Sequence, residues 1–399
     1  MSTTYKTRLG DTFSSIAAGN TGLDTNAAEI KRANPGVLEP IRPGTTIRIP
    51  GMMQKFNKFR SQGIDIIIDN IRYDCIEEIK IKTAFDATRK GSLRLPNEPK
   101  IREKLIPMFP HEVKIGYNGK PLLTGRTGAI QPVTTEARKE LSVEIYSECA
   151  VLEDASPPIT AFPLEFLDMD LEKIAHHLCD IMSVGCIFND RPGSKFKQTN
   201  IEPEEAILTY ISDLAAQRNL FVSDDEDGNL ILQMASLAVE PALTIQEDYS
   251  PGATIESTFD NSQYYSSITG LVKAKTRKQG AIFTKQNPFV TGITRPYTRT
   301  FEDIDPGELE TAVDSMAGRM FAQFFRLNIT FPSWENDKGE LIKDNQLISV
   351  YSPTNYINQF SNFLISNVEY FHSNEQKYVT MEAVLPNALR GEMPEGLPW

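Results

Sequence analysis

Only four cysteines occur in 399 residues (Cys75, Cys149, Cys179 and Cys186), scattered and never in a CxxC pair. That excludes a disulfide-built scaffold and reads as free, buried thiols. Histidine is equally scarce, limited to His111, His176, His177 and His372. No run of about 18 apolar residues exists, so no helical membrane span is expected. The start, MSTTYKTRLGD, lacks the apolar core of a secretory signal, so folding in a cytoplasm is expected. No glycine-rich phosphate loop of the P-loop or dinucleotide type is present. Nor does any segment repeat with a period of roughly 20–50 residues, which excludes a solenoid.

Positive charge is also in deficit, and unevenly so. The formal net charge is −12. Residues 1–51 hold six Lys/Arg against four Asp/Glu, net +2, leaving 35 against 49 in the other 348, net −14. A body this acidic is a poor phosphate binder, because nucleic-acid affinity draws on cations. The length suggests two to four domains, enough to bury real cores.

The first 51 residues read βααβ. Tyr5–Leu9 alternates like a strand, and Gly10-Asp11 breaks it. Asp11 or Thr12 stands where a helix N-cap belongs, with Phe13, Ile16 and Ala17 on one face of the helix that follows. A second helix over residues 25–34 points Ala27, Ile30 and Ala33 inward, and "IRPGTTIRIP" supplies a turn and strand. In order, Gly10-Asp11-Thr12, Ile16-Ala17, Ala33-Asn34-Pro35, Ile41, Pro43-Gly44 and Ile47-Arg48-Ile49-Pro50 match along the whole block. The block resembles a LysM domain. The resemblance implies a groove between the first strand–helix loop and the second helix–strand loop, made of Gly10, Asp11, Thr12 and Phe13 on one side and Asn34, Pro35, Val37, Leu38 and Ile41 on the other. Such a groove implies recognition of N-acetylglucosamine polymers such as peptidoglycan. The same residues are caps, turns and core, and serve equally for docking another protein.

Residues 52–63 form a basic linker, and from Ile64 the texture becomes short strands. Asn118-Gly119 marks a hairpin. Leu171, Ile174, Leu178 and Ile181 fall at helical spacing, as do Ile207, Ile211 and Leu214 after Pro203. A hairpin turns at Asp227-Gly228, and the last third returns to strands around one helix that starts near Asp305-Pro306. Three stretches, "KIGYNGKPLLTGRTGAI" with "LSVEIYSECAVLEDASPP", "AILTYISDLAAQRNLFVSDDEDGNLIL", and "DNQLISVYSP" with "FLISNVEYFHSNEQKYVTMEAVLP", carry a second resemblance. Their order resembles the phage tail baseplate hub family of contractile tails.

The expected fold class is α+β: a small βααβ LysM module, then a multidomain β-rich body with two tube-like β-barrel domains and an α/β subdomain. The expected boundaries are 1–51 for LysM, 52–63 for the linker, 64–158 for the first hub domain, 159–237 for the α/β subdomain and 238–399 for the second hub region. The resemblance implies a homotrimer placed in the virion tail baseplate, or in a related injection machine. Its implied partners are a tail tube protein, a spike protein, neighbouring baseplate subunits and peptidoglycan. DNA would pass through the ring without specific binding, repelled by a lumen that shares the body's sign. Phe321, Phe324, Phe325 and Trp334 are candidate interface residues, and burial inside the chain explains them equally well.

Catalytic and metal chemistry finds no support in the sequence. On a helix His176 and Cys179 share a face but His177 does not, and nothing completes four ligands with Cys186. "SDDEDGN" mimics a calcium loop, but with Gly228 sixth the twelfth position is Met234 where a bidentate Glu is required. The alternative function is a LysM-anchored peptidoglycan hydrolase, which needs a Cys/His pair, zinc ligands or two placed carboxylates. No residue stands out as its catalyst, and no cofactor is expected.

Overall fold

The structure is a computed structural model that describes residues 3–7, 11–21, 27–39, 41–49, 63–73, 75–135, 139–236, 240–273, 280–301, 304, 306–392 and 397–398. The chain divides into two compact units, Met1–Asp65 with Arg72–Cys75, and Ile66–Ile71 with Ile76–Trp399.

In the first unit β1 (Thr3–Lys6) precedes helices α1 (Phe13–Thr21) and α2 (Ala27–Ala33), and β2 (Thr46–Ile49) pairs antiparallel with β1. Thr12 is the N-cap: its Oγ1 accepts from Ser15 N at 3.0 Å, while Ser15 Oγ accepts from Thr12 N at 2.8 Å. That reciprocal pair satisfies donors the first helical turn cannot. Phe13, Ile16, Ala17, Ile30, Ile41 and Ile47 form the core of the module. The first strand ends at Lys6, short of the alternation through Leu9; Arg8, Leu9 and Gly10 lie outside the described residues.

Strands β3 (Ile64–Ile68) and β4 (Ile71–Tyr73) are divided between the two units, and the second continues with β5 (Glu78–Ala84), β6 (Lys90–Pro96), the short helix α3 (Pro99–Arg102), β7 (Glu112–Tyr117), β8 (Lys120–Thr134) and β9 (Lys139–Ser147). Asn118 and Gly119 both take positive φ, +50° and +78°, as a two-residue hairpin turn demands. The middle segment holds α4 (Val151–Asp154), β10 (Glu165–Met169), α5 (Leu171–Ile181), β11 (Cys186–Phe188), β12 (Phe196–Asn200), α6 (Ile207–Ala216), β13 (Phe221–Asp224) and β14 (Leu230–Gln233). Asp170 caps α5 by accepting from Lys173 N at 2.9 Å, and Leu171, Ile174 and Leu178 are buried as their spacing implies. Helix α6 starts later than Pro203 and its glutamates suggest. Ala206 is extended, because Ile207 N donates to Ala155 O at 3.1 Å and a tertiary bond outweighs local propensity.

The last third comprises β15 (Leu243–Gln246), β16 (Thr254–Phe259), β17 (Ser267–Val272), β18 (Ile282–Gln286), β19 (Pro296–Phe301), α7 (Leu309–Phe324), β20 (Phe325–Phe331), β21 (Leu347–Ser352), β22 (Ile357–Ser373) and β23 (Lys377–Val384). Helix α7 packs its apolar face on the three-stranded β18-β17-β19 sheet, with Leu309, Val313 and Ala317 against Ile268 and Phe301.

One 13-stranded sheet dominates, in the order β16-β20-β23-β22-β5-β6-β9-β8-β7-β3-β4, with β15 and β21 branching from β22. Strand β22 joins the halves: its first part pairs with β21, and residues 367–373 pair with β5. Cross-strand partners share a face. On one face Phe331, Val379, Tyr370, Ile81, Gly91, Ile145 and Thr127 lie opposite one another in succession, turned toward the core. The two tube-like barrels expected from sequence therefore take another form. The architecture is α+β and β-rich, but among the described residues the strands close no barrel, and one open sheet runs through both β-rich stretches. Alternation reveals which side of a strand is buried and never which strand lies beside it. No helix among the described residues is long and apolar enough to cross a membrane.

Candidate functional site

The expected groove residues of the first unit play unequal parts. Phe13 and Ile41 are core side chains, 2% and 4% exposed. Asn34 is buried and acts as a brace: its Nδ2 donates to Ile30 O and Arg48 O, both at 2.7 Å, and its Oδ1 accepts from Arg48 N at 2.8 Å. It thereby ties the end of α2 to β2. Thr12 and Pro35 are exposed, Asp11 and Val37 half-buried, and Leu38 stands 80% exposed. Gly10 lies outside the described residues.

Two groups absent from the expected set link the loops. Glu39 Oε1 accepts from Phe13 N at 2.8 Å, so the second loop supplies a carboxylate to the N-terminal turn of α1. Tyr5 donates its hydroxyl to Asp11 Oδ2 at 2.9 Å. Nothing in the sequence marks Glu39, since its partner is a backbone N–H 26 positions away. Among the described residues of this unit, Leu38 is the one large apolar side chain that stands exposed.

In the second unit, charge is buried where three parts of the chain meet. Arg89, 6% exposed, donates from Nη1 to Leu122 O and from Nη2 to Asp224 O at 3.0 Å. Its Nε lies 3.6 Å from Asp224 Oδ1 and its Nη1 3.9 Å from Glu226 Oε1. Lys343 reaches Glu226 at 2.6 Å, and Tyr370 donates to Ile342 O. Burial alone would lower the Arg89 pKa, but Asp224, Asp344 and Glu226 raise it. Burial pushes the Asp224 carboxyl up despite Arg89. For Glu226 burial is outweighed by Lys343 and Arg89, which hold it below its ordinary value. This cluster ties the start of β6, the β13–β14 hairpin and the loop before β21 together.

A second lock lies nearby. Arg319 of α7 pairs with Asp86 and donates to Leu220 O at 2.8 Å, while Phe85 stacks on Phe221 at 3.8 Å.

The other face of the large sheet is polar across eight strands. Thr254, Thr330, Thr380, Glu369, Lys82, Lys90, Tyr146 and Arg126 lie opposite one another in a single row. Cations gather at its centre, but carboxylates meet them: Lys90–Glu153 at 2.7 Å, Arg94–Glu78 at 3.2 Å, Arg94–Glu140 at 3.6 Å and Arg126–Glu148 at 3.1 Å. This face of the sheet is thus mixed and largely ion-paired rather than uniformly acidic. Net charge sums over the chain and does not predict how charges are distributed on its surfaces.

Candidate chemistry resolves into packing. His176 lies against Phe188 and His177 against Phe166, and Cys179 is buried. Asp225 of the calcium-like loop accepts from Asp227 N and Asn229 N at 3.0 and 2.8 Å, so the turn consumes its own carboxylate. Among the described residues no group of three or more His, Cys, Asp or Glu is placed to hold a metal ion. His111 faces Asp69 at 2.6 Å and Ile106 O at 3.1 Å, anchoring a loop. The proposed interface residues Phe321, Phe324, Phe325 and Trp334 are 3%, 8%, 0% and 0% exposed, and belong to the interior of the chain. Trp334 Nε1 donates to Tyr378 O at 2.8 Å.

Residues 5–50 match the family model of the LysM domain, and residues 149–234 match that of the baseplate hub protein gp44-like, second domain. No curated protein matches the chain. Among solved structures, the 43 kDa tail protein of prophage MuSo2 from Shewanella oneidensis is similar with a TM-score of 0.70 and 17% identity, over 82% of this chain and 99% of that one. The tail protein of Neisseria meningitidis MC58 gives a TM-score of 0.70 and 15% identity, over 83% and 99%. The Escherichia coli c3393 protein, a type VI secretion component with structural similarity to T4 tail proteins gp27 and gp5, gives 0.54 and 11%, over 84% and 80%. The chain thus carries a LysM domain and a gp44-like baseplate hub domain, on a fold shared with phage tail proteins.

Proposed function

We propose that this chain is the structural hub of a contractile phage-tail baseplate, or of a related injection machine. Three copies form a ring that joins tail tube to spike and conducts DNA. The observation that carries this reading is the gp44-like hub domain at residues 149–234, set between two β-rich stretches that share one sheet. In this reading the stretches at 64–158 and 238–399 act as two tube-like domains per chain, six in a trimer, with 159–237 as the α/β subdomain. The eight-strand polar row lines the conduit. Of its cations Lys90 and Arg126 are held in ion pairs, which leaves DNA phosphates little free positive charge to grip beyond Lys82.

The LysM module at 1–51, on the 52–63 linker, serves subunit docking or contact with peptidoglycan through Asp11, Thr12, Pro35, Val37 and Leu38, with Gly10 at the loop's start. Phe13, Asn34 and Ile41 frame that surface from within. Assembly would take place in the host cytoplasm and the product would reside in the virion.

Sizing of the purified chain by light scattering tests the reading. The expected species has three times the 44.7 kDa chain mass; a monomer at all concentrations overturns it. Incubation with purified peptidoglycan should release no soluble fragments, and released muropeptides would instead establish the hydrolase.

A further inference from the structure

Two exposed apolar patches of the second unit carry opposite charge. The first is the loop between α3 and β7. Ile106, Met108 and Phe109 are 44%, 82% and 62% exposed, and Pro107 and Pro110 are exposed with them. The tip is not slack: Ile101, Leu105 and His111 anchor its ends in the core, and His111 Nε2 lies 3.1 Å from Ile106 O. Such a pre-organised apolar tip loses little entropy on binding. Lys100, Arg102 and Lys104 flank it, against Glu98 and Glu103, a net positive collar on a strongly acidic body.

The second patch surrounds Ile159 and Phe162, 87% and 53% exposed. Ile201 N donates to Leu164 O and Ile207 N to Ala155 O, both at 3.1 Å, which brings residues 202–206 beside this segment. Residues 154–165 and 202–205 together hold Asp154, Glu165, Glu202, Glu204 and Glu205, and no Lys or Arg. Burial pushes the Glu205 carboxyl up; the hydrogen bond from Glu202 N opposes this, and the Asp213 and Glu202 carboxylates push it further, as expected where carboxylates crowd.

We propose that the basic-collared tip of one copy of this chain docks on the acid-rimmed Ile159–Phe162 patch of a second copy. The two surfaces differ, so the contact is heterologous, the kind that closes rings by rotation. Apolar groups fill its centre and opposite charges its rim, which sets orientation and partner choice. The inference rests on the ring reading above and assigns the surfaces that make the ring.

Zero-length carbodiimide coupling of mixed heavy- and light-isotope protein, read by peptide mass spectrometry, tests it without mutation. Mixed-isotope crosslinks from Lys100 or Lys104 to Asp154, Glu165, Glu202 or Glu204 are expected. Separately, a K100E/R102E/K104E variant and a D154K/E165K/E202K variant should each raise the dissociation constant of the oligomer by about tenfold or more. Their mixture should re-associate. Phe109→Ser, at an exposed position outside the core, should weaken assembly without loss of far-UV circular dichroism. A wild-type oligomer that all these changes leave intact, and whose crosslinks map elsewhere, overturns the assigned contact and leaves the ring standing. A wild-type monomer overturns the ring reading itself.

Discussion

Replacing Asp344 with Asn should stabilise this protein at neutral pH, although it removes a charge from an ionic cluster. Three carboxylates, Asp224, Glu226 and Asp344, share the site with two cations, Arg89 and Lys343. Burial pushes the Asp344 carboxyl up to about 6; Asp224 and Glu226 push the same way, and Arg89 and Lys343 oppose them without prevailing. The folded protein therefore holds this proton more tightly than the unfolded chain does. Stability falls as pH rises from about 4 to about 6, and the deficit is complete above that window. A shift of about two units corresponds to ~3 kcal/mol. Asp344 keeps part of its surface in solvent, which screens the charge and reduces this to about 1–2 kcal/mol.

The assay is urea unfolding followed by emission of the buried Trp334, for wild type and Asp344→Asn, between pH 4 and 8. The Asn variant should be the more stable at pH 7.5, and the curves should converge toward pH 4. A variant less stable at pH 7.5, or an offset independent of pH, would show that Asp344 is a needed partner of Arg89 and refute the reasoning.

Gly318→Ala, which would gain about 1 kcal/mol in an isolated helix, should instead destabilise by about 1–3 kcal/mol. A Cβ there would stand 1.7 Å from Ala388 O, and urea melts give the sign. Asn34→Ala removes three hydrogen bonds from a module with six buried apolar residues, at a cost of about 2–4 kcal/mol. Limited proteolysis should then cut residues 1–51 faster while emission from Trp334 and Trp399, both outside that module, stays unchanged. Purified protein at about 0.15 M salt should not retain double-stranded DNA in a gel-shift assay, since Lys90, Arg94 and Arg126 of the polar face are ion-paired. Retention that weakens steeply with salt would show unpaired cations there.

What the sequence made legible was local. The cap at Thr12, the turn at Asn118-Gly119 and the buried face of α5 each depend on neighbours within a few positions, and each stands where residue type placed it. What escaped was set by distant partners. Arg89 reads as one more arginine before a strand, yet its guanidinium meets Asp224 and Glu226 more than a hundred residues on. The late start of α6 and the Glu39 cap on α1 have the same origin. The four aromatics of the last third illustrate a different limit: interface and core draw on the same residue types, and only packing distinguishes them.

The merging of two β-rich stretches into one sheet bears on how the chain would serve as a conduit. Two separate barrels would each set their own face, whereas pairing of β22 with β5 forces the polar sides of both halves into register. Period-two alternation then extends Glu369 of one half to Lys82 of the other, and the row continues to Arg126. A one-residue slip at this junction would turn core residues such as Val368 and Tyr370 to the wrong side, so packing itself guards the continuity of the face. Among the described residues, carboxylates without a cation partner gather elsewhere, as at Glu202, Glu204 and Glu205, where in the proposed contact they would select a partner. In the proposed ring, neutralised charge along the path and surplus charge at the rim of the contact would divide one acidic composition between passage and assembly.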